Sequence, residues 1–181
     1  KSNFDKLIKK IKDNKKFTIQ YLDWPKKFNN YFEIHRVIYH KSLSYYFQNE
    51  YRDKKKISKI MNEIIDEGKK IENHDYIKAL KMQEKFIKDF NRYISKFDCC
   101  LTLSTTSSAP TRNEKEKKDP SLLFTLAHIP AINVPYKLND KKLPVGFQLI
   151  SKKWSDYKLL DCLDDLVNNK ILSPFSLSSH D

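Results

Sequence analysis

The sequence has two glycines in 181 residues, three cysteines, four arginines and no long apolar run, and each shortage excludes something. Gly68 follows a helix-like segment and Gly146 lies in a strand-like one, so no glycine-rich loop is available to hold a phosphate or an oxyanion on converging backbone N–H groups. Cys99 and Cys100 are adjacent, Cys162 stands apart and no C-x-x-C occurs, which supports neither a disulfide scaffold nor a zinc site. That usage points to a reducing compartment, hence to the cytoplasm. The longest apolar stretches, such as residues 122–130, fall far short of the roughly 20 residues a bilayer requires. Lys1 opens no charged-then-apolar leader and is not an initiator methionine, so the expectation is part of a longer chain with no membrane span or signal peptide.

What is present is apolar and aromatic enough to fold: 39% hydrophobic and 13% aromatic residues exclude disorder by composition. Thirty-five basic against 23 acidic residues give a formal charge of +12. All but Arg36, Arg52, Arg92 and Arg112 of those cations are lysine, whereas base readout and bidentate phosphate clamps favour arginine. A solvated lysine surface is the expected reading, and nucleic acid is not the expected partner.

Phe4, Leu7, Ile8 and Ile11 recur at helical spacing, and residues 17–22 lean towards a strand before Trp24-Pro25. Residues 27–52 read as an aromatic-rich helix carrying Phe28, Phe32, His35, Tyr39, Leu43, Tyr46 and Phe47 on one face. Ile57, Ile60, Met61, Ile64 and Ile65 form a shorter helix, which Gly68 is placed to end with a left-handed cap. Asn73 can cap the next helix, whose stripe runs Tyr76, Ala79, Leu80, Phe86, Ile87, Phe90, Tyr93, Ile94 and Phe97. From residue 98 the texture changes: a buried strand over 99–103, a hydroxyl-rich loop over 104–110 and a charged excursion over 112–118. Asp119-Pro120-Ser121 then opens a short apolar helix over 122–127. Residues 132–134 and 145–150 read as strands, a last helix carries Leu159, Leu160, Leu163, Leu166 and Val167, and the serine-rich tail after Leu172 reads as loosely held. The expected class is α/β, one partial domain with a helix-rich first half over 1–97, sheet-core strands and helices over 98–170, and a tail over 171–181.

The order of several short motifs resembles the C-terminal part of the amidase signature family, serine-dependent amide hydrolases that include the amidotransferase A subunits. His74-Asp75-Tyr76-Ile77-Lys78-Ala79-Leu80 resembles the family's D-Y-x-x-A-L helix start, and Phe97-Asp98-Cys99-Cys100-Leu101 its D-x-L-L strand. Ser107-Ser108-Ala109-Pro110 is similar to the A-P end of its P-T loop, and Asp119-Pro120-Ser121 to its G-D-P-S. Ala127-His128-Ile129-Pro130-Ala131-Ile132-Asn133-Val134-Pro135 resembles L-G-L-P-A-I-S-V-P. Leu143-Pro144-Val145-Gly146-Phe147-Gln148-Leu149-Ile150, the most specific segment, resembles G-L-P-V-G-F-Q-L-I, and Tyr157-Lys158-Leu159-Leu160 the start of the closing helix. Leu103-Ser104 stands where the family has Pro-Thr, the interval between Asp119 and Pro130 is about two residues short, and His128 replaces a glycine.

The resemblance implies a mixed sheet covered by helices and a carbon–nitrogen amide bond as the target. It also implies chemistry by a serine nucleophile, a second serine in a cis peptide and a lysine base. Their glycine-serine loop is absent here, so the catalytic groups are expected upstream of Lys1, on a missing N-terminal half in the same or a second chain. No catalytic residue, metal or cofactor is assigned within these 181 residues. Ser107, Asp119 and Thr125 are carried as pocket candidates for a small-molecule amide substrate, with helix capping or loop hydrogen bonds as the plain alternative. His128 reads as hydrogen-bonded filler among apolar neighbours, although an imidazole in place of a glycine would intrude on close backbone approach. His35 and His40 miss the i, i+4 spacing of a helical metal pair. Cys99 and Cys100 read as core thiols, and Gln148 as satisfying backbone groups with its role open. The competing expectation is a catalytically inactive basic module for an acidic partner or nucleic acid.

Overall fold

The computed structural model describes residues 2–105, 109, 121–138 and 142–172. Six α-helices and three strands occur among them: α1 Ser2–Lys12, α2 Tyr31–Tyr46, α3 Lys59–Lys70, α4 Asn73–Ile94, β1 Cys100–Leu103, α5 Ser121–Ala127, β2 Ala131–Leu138, β3 Pro144–Ile150 and α6 Asp156–Asn168. The strands form one sheet in the order β1-β3-β2, both pairs antiparallel. Each of β1 and β2 therefore has one side without a strand partner among the described residues.

The α/β expectation is met, with helices dominating the first half. Residues 17–25 are irregular rather than a strand. Phe17 and Ile19 still pack on a core cluster, so their apolar spacing marks burial of a loop and not pairing. The tail expected to be loosely held lies, after Leu172, outside the described residues.

Side chains alternate across a strand, and β3 uses that alternation to divide two cores. Phe147 and Leu149 face a cluster with Leu7 and Ile11 of α1 and Leu159 and Leu166 of α6. Ile150 faces the other way, into a cluster of Phe28, Ile34, Phe86, Phe90, Ile94, Leu123, Phe124, Leu126 and Ala127. Phe28, from the single turn before α2, fills the centre of that second cluster, with its ring 5.3 Å from both Phe86 and Phe90. Full burial of such a ring contributes roughly 1.5–3 kcal/mol. The long stripe on α4 is the other wall, as its spacing predicts. On α2, by contrast, Ile34 is the buried position, while Tyr39 and Tyr46 of the expected aromatic face are exposed.

Both glycines serve close approach, and neither has a positive φ. Gly68 lies inside α3, not at its end; a β-carbon there would stand 2.0 Å from the His40 carbonyl oxygen and 2.6 Å from its carbon. The expected left-handed cap is thus replaced by a helix crossing, in which α3 presses on the α2 backbone. Asn73 likewise is the first residue of α4 rather than its cap, and the cap position, Glu72, makes no side-chain bond. Ser58 does cap α3, accepting from the Met61 N–H at 3.1 Å.

Left-handed backbone falls instead on His128, Lys142, Trp154 and Lys170, with φ between 51° and 66°. His128 closes α5: its N–H bonds the Thr125 carbonyl at 3.2 Å and the Ile129 N–H bonds the Phe124 carbonyl at 3.3 Å. Lys170 closes α6 with the same pair of bonds, to Val167 at 2.9 Å and from Ile171 to Leu166 at 2.9 Å. Both are Schellman caps at the position where glycine is usual.

Two substitutions test these roles. Gly68→Ala should lower unfolding stability by about 3 kcal/mol, because backbone and not a flexible side-chain end occupies the space; a denaturation midpoint equal to that of the parent would contradict the crossing. His128→Gly should raise stability by about 0.5–1 kcal/mol, since a β-carbon in left-handed backbone costs about 1–2 kcal/mol and part of that returns as unfolded-state entropy.

Candidate functional site

On the face of the sheet that carries Ile150, the row next to it is polar. Thr102, Gln148 and Asn133 lie opposite one another on β1, β3 and β2. Ser104, just past β1, donates its hydroxyl to Asn133 Oδ1 across β3. The side chains can meet there because β3 has Gly146 at that point: a β-carbon would lie 3.2 Å from Asn133 Oδ1, 3.3 Å from Ser104 Oγ and 2.8 Å from the Val134 carbonyl oxygen. The result is a small ledge with hydroxyl and carboxamide groups on a sheet whose other rows are apolar. Asn133 is exposed, whereas Gln148 Oε1 is buried and has no hydrogen-bond partner. An orphaned buried acceptor costs roughly 1–3 kcal/mol, and Gln148 Oε1 lacks the backbone partner that the sequence suggests.

Of the three pocket candidates, Thr125 is exposed on α5 and its hydroxyl donates to the Ser121 carbonyl at 3.4 Å, the plain back-bond of a helical threonine. Ser107 and Asp119 lie outside the described residues, as do the remaining hydroxyls at 106 and 108. The polar ledge was missed in the sequence because Asn133, Thr102 and Gln148 become neighbours only once strand register is known. The signal was a polar residue at alternate positions of otherwise apolar strands.

No serine–lysine or serine–histidine pair forms at the described hydroxyls of Ser44, Ser95, Ser104 and Ser151, which reach the Lys41, Arg92 and Asp98 carbonyls and, for Ser104, Asn133. His128, expected as hydrogen-bonded filler, does lie within hydrogen-bond reach of a partner, its Nε2 3.2 Å from Gln83 Nε2 on the α4 side, but its ring is exposed and fills no core. His35 stacks on Tyr39 at 5.4 Å, and burial, followed by the nearby His40, pushes its pKa below the ordinary value. His40 Nδ1 lies 3.0 Å from Glu67 Oε2, yet burial outweighs that carboxylate and holds its pKa down as well. Arg36 is clamped by Glu33 through Nε at 3.0 Å and Nη2 at 2.7 Å. These groups sit at the junction of α2 and α3, beside a cleft of about 600 Å³ lined by helix and loop residues such as Ile34, Val37, Lys70, Ile71, Lys78 and Met82. No strand contributes to that cleft. Cys99 and Cys100 are half-buried thiols, and burial raises the pKa of both, that of Cys100 to about 11. Neither is a ready nucleophile. Among the described residues no three His, Cys, Asp or Glu side chains could hold a metal ion, and no helix is long and apolar enough to cross a membrane.

The family model described as Amidase matches residues 9–160. The A subunit of the glutamyl-tRNA(Gln) amidotransferase of Zymomonas mobilis is 34% identical over 95 residues, covering 48% of this chain and 19% of that protein. Its counterpart in Rickettsia bellii strain RML369-C is 35% identical over 94 residues, covering 47% and 19%. A solved amidase superposes with a TM-score of 0.75 at 16% identity, covering 89% of this chain and 39% of the amidase. The solved glutamyl-tRNA(Gln) amidotransferase counterpart from Thermotoga maritima gives 0.62 at 22% identity, covering 87% and 36%. The matched stretch is thus about a fifth of the curated relatives' length, and the structural likenesses speak for the fold. The strands whose register builds the ledge lie within the matched residues, and with the match running through most of the sequence, the chain belongs to the Amidase family.

Proposed function

We propose that this chain is the C-terminal portion of a hydrolase acting on a carbon–nitrogen amide bond, and that it supplies scaffold and part of the substrate pocket but not the catalytic serines or lysine. The observation that carries the reading is the polar ledge of Ser104, Asn133, Gly146 and Gln148, built by the family-matching strands and holding no nucleophile–base pair. A catalytic half, in the same or a second chain, contributes the serine that attacks the amide carbonyl, the base that takes its proton and the N–H donors that hold the oxyanion, worth roughly 3–4 kcal/mol each. The ledge then orients a small-molecule amide: the Asn133 carboxamide nitrogen donates and Gln148 Oε1 accepts. Such geometry leaves chemistry to the other half and fixes position, which is itself a large share of catalysis.

The competing reading, a basic binding module, draws little from the structure. Some of the lysines are held in ion pairs, such as Lys16–Asp165 at 2.6 Å, Lys85–Asp89 at 2.8 Å and Lys158–Asp98 at 2.8 Å. A nucleic-acid surface needs a stripe.

The purified 181-residue chain is expected to show no turnover of a primary amide or anilide, and reading the gene upstream of Lys1 should reveal a glycine-serine signature in frame or in a neighbouring chain. Turnover by the isolated chain, or an upstream stop codon with no such partner, overturns the proposal. Gln148→Met should leave the isolated chain equally stable or more stable by about 1 kcal/mol, while lowering turnover in the reconstituted enzyme. A loss of stability instead would mean that Gln148 is a packing residue and not a wall of the pocket.

A further inference from the structure

Adjacent residues of a strand point to opposite faces, so the neighbours Cys99 and Cys100 enter different cores. Cys100 packs against the cluster of Phe28, Phe86 and Phe90. Cys99 packs on the other side, with Leu159, Leu163 and Leu166 of α6. The third cysteine, Cys162, is on that helix, and its thiol lies close enough to that of Cys99 for each to bear on the other's ionisation. A second contact fixes the same pairing: Asp98, the residue before Cys99, holds Lys158, one helical turn before Cys162, at 2.8 Å. Two consecutive residues at the entrance to β1 thus meet two consecutive turns of α6. All three thiols are partly accessible.

We propose that Cys99 and Cys162 form a reversible intrachain disulfide that staples α6 to the sheet under oxidising conditions, with Cys100 left as a free thiol. The oxidant is a small-molecule disulfide. The Cys162 thiolate attacks one of its sulfurs and expels the first thiolate; the Cys99 thiolate then attacks the sulfur of Cys162 and expels the second. Two protein thiols are oxidised, one disulfide is reduced to two thiols, and the two protons pass to those leaving groups. Burial holds the Cys162 pKa above its ordinary value, and Lys158 beside it works in the opposite direction, towards the attacking thiolate. Burial of Cys99 opposes its ionisation, which slows the second step relative to the first.

The link also has a mechanical consequence. Besides its buried leucines, α6 is tied to the rest of the chain by surface pairs such as Lys158–Asp98 and Lys16–Asp165. A covalent bond closes the whole stretch from β1 to α6 into one loop, which restricts the unfolded chain.

The full 181-residue chain, folded and incubated with oxidised glutathione, is alkylated, digested with trypsin and analysed by mass spectrometry with fragmentation. The expected product joins residues 97–112 to residues 159–170 through Cys99, with Cys100 alkylated. The thermal unfolding midpoint should rise by about 5–10 °C on oxidation and return with dithiothreitol. Cys162→Ser should abolish both effects; Cys100→Ser should preserve both, and serves as the control should the first variant fold poorly. A link through Cys100, full alkylation of all three thiols after prolonged oxidation, or a midpoint unmoved by oxidation overturns the proposal. These outcomes are independent of amide turnover, so they stand or fall separately from the hydrolase reading.

Discussion

The alternation of one strand organises this molecule. β3 is paired on both sides, and its seven residues send Phe147 and Leu149 into one core and Ile150 into the other. A shift of register by one position would place Phe147 among the helices and Gly146 against α1 and α6, emptying both cores at once. Two antiparallel ladders fix the register, and the row left over between the apolar rows is where the polar groups collect. The pocket wall and the double core are therefore two aspects of the same pairing.

The elements legible in the sequence are those whose burial follows a single period. The α4 stripe from Tyr76 to Ile94 and the strands around Ile132 and Phe147 are of this kind. The period misleads where apolar residues are buried without regular structure, as at Phe17 and Ile19, or where an aromatic face is left uncovered, as at Tyr39 and Tyr46. α2 meets its neighbours through Ile34 and through its own backbone at His40, against which Gly68 lies. No pattern of side chains announces a backbone contact. The candidate site was less legible still. Gln148 stood out as polar in an apolar strand, but its company with Thr102, Asn133 and Ser104 depends on pairing between strands far apart in the chain, β1 with β3 above all.

Glycine scarcity has a subtler meaning than composition suggests. Residues with β-carbons, His128 and Lys170, take the left-handed positions that end helices, at a conformational cost each. The two glycines are reserved for sites where no side chain of any kind fits. At Gly68 that exclusion seats one helix on another; at Gly146 it brings Ser104 and Asn133 together over the sheet. A count of glycines thus speaks to how much strain a chain tolerates, whereas their location speaks to where its backbone must touch something.

The sheet's outer sides obey a different rule from its middle. β1 and β2 each present a ladder of amide and carbonyl groups with no strand beside it among the described residues, and the four residues of β1 include neither a proline nor a charge to guard it. A border of this kind is a template on which an extended peptide can pair. In this chain it is the rims of the sheet, and not its cores, that offer backbone groups to such a peptide.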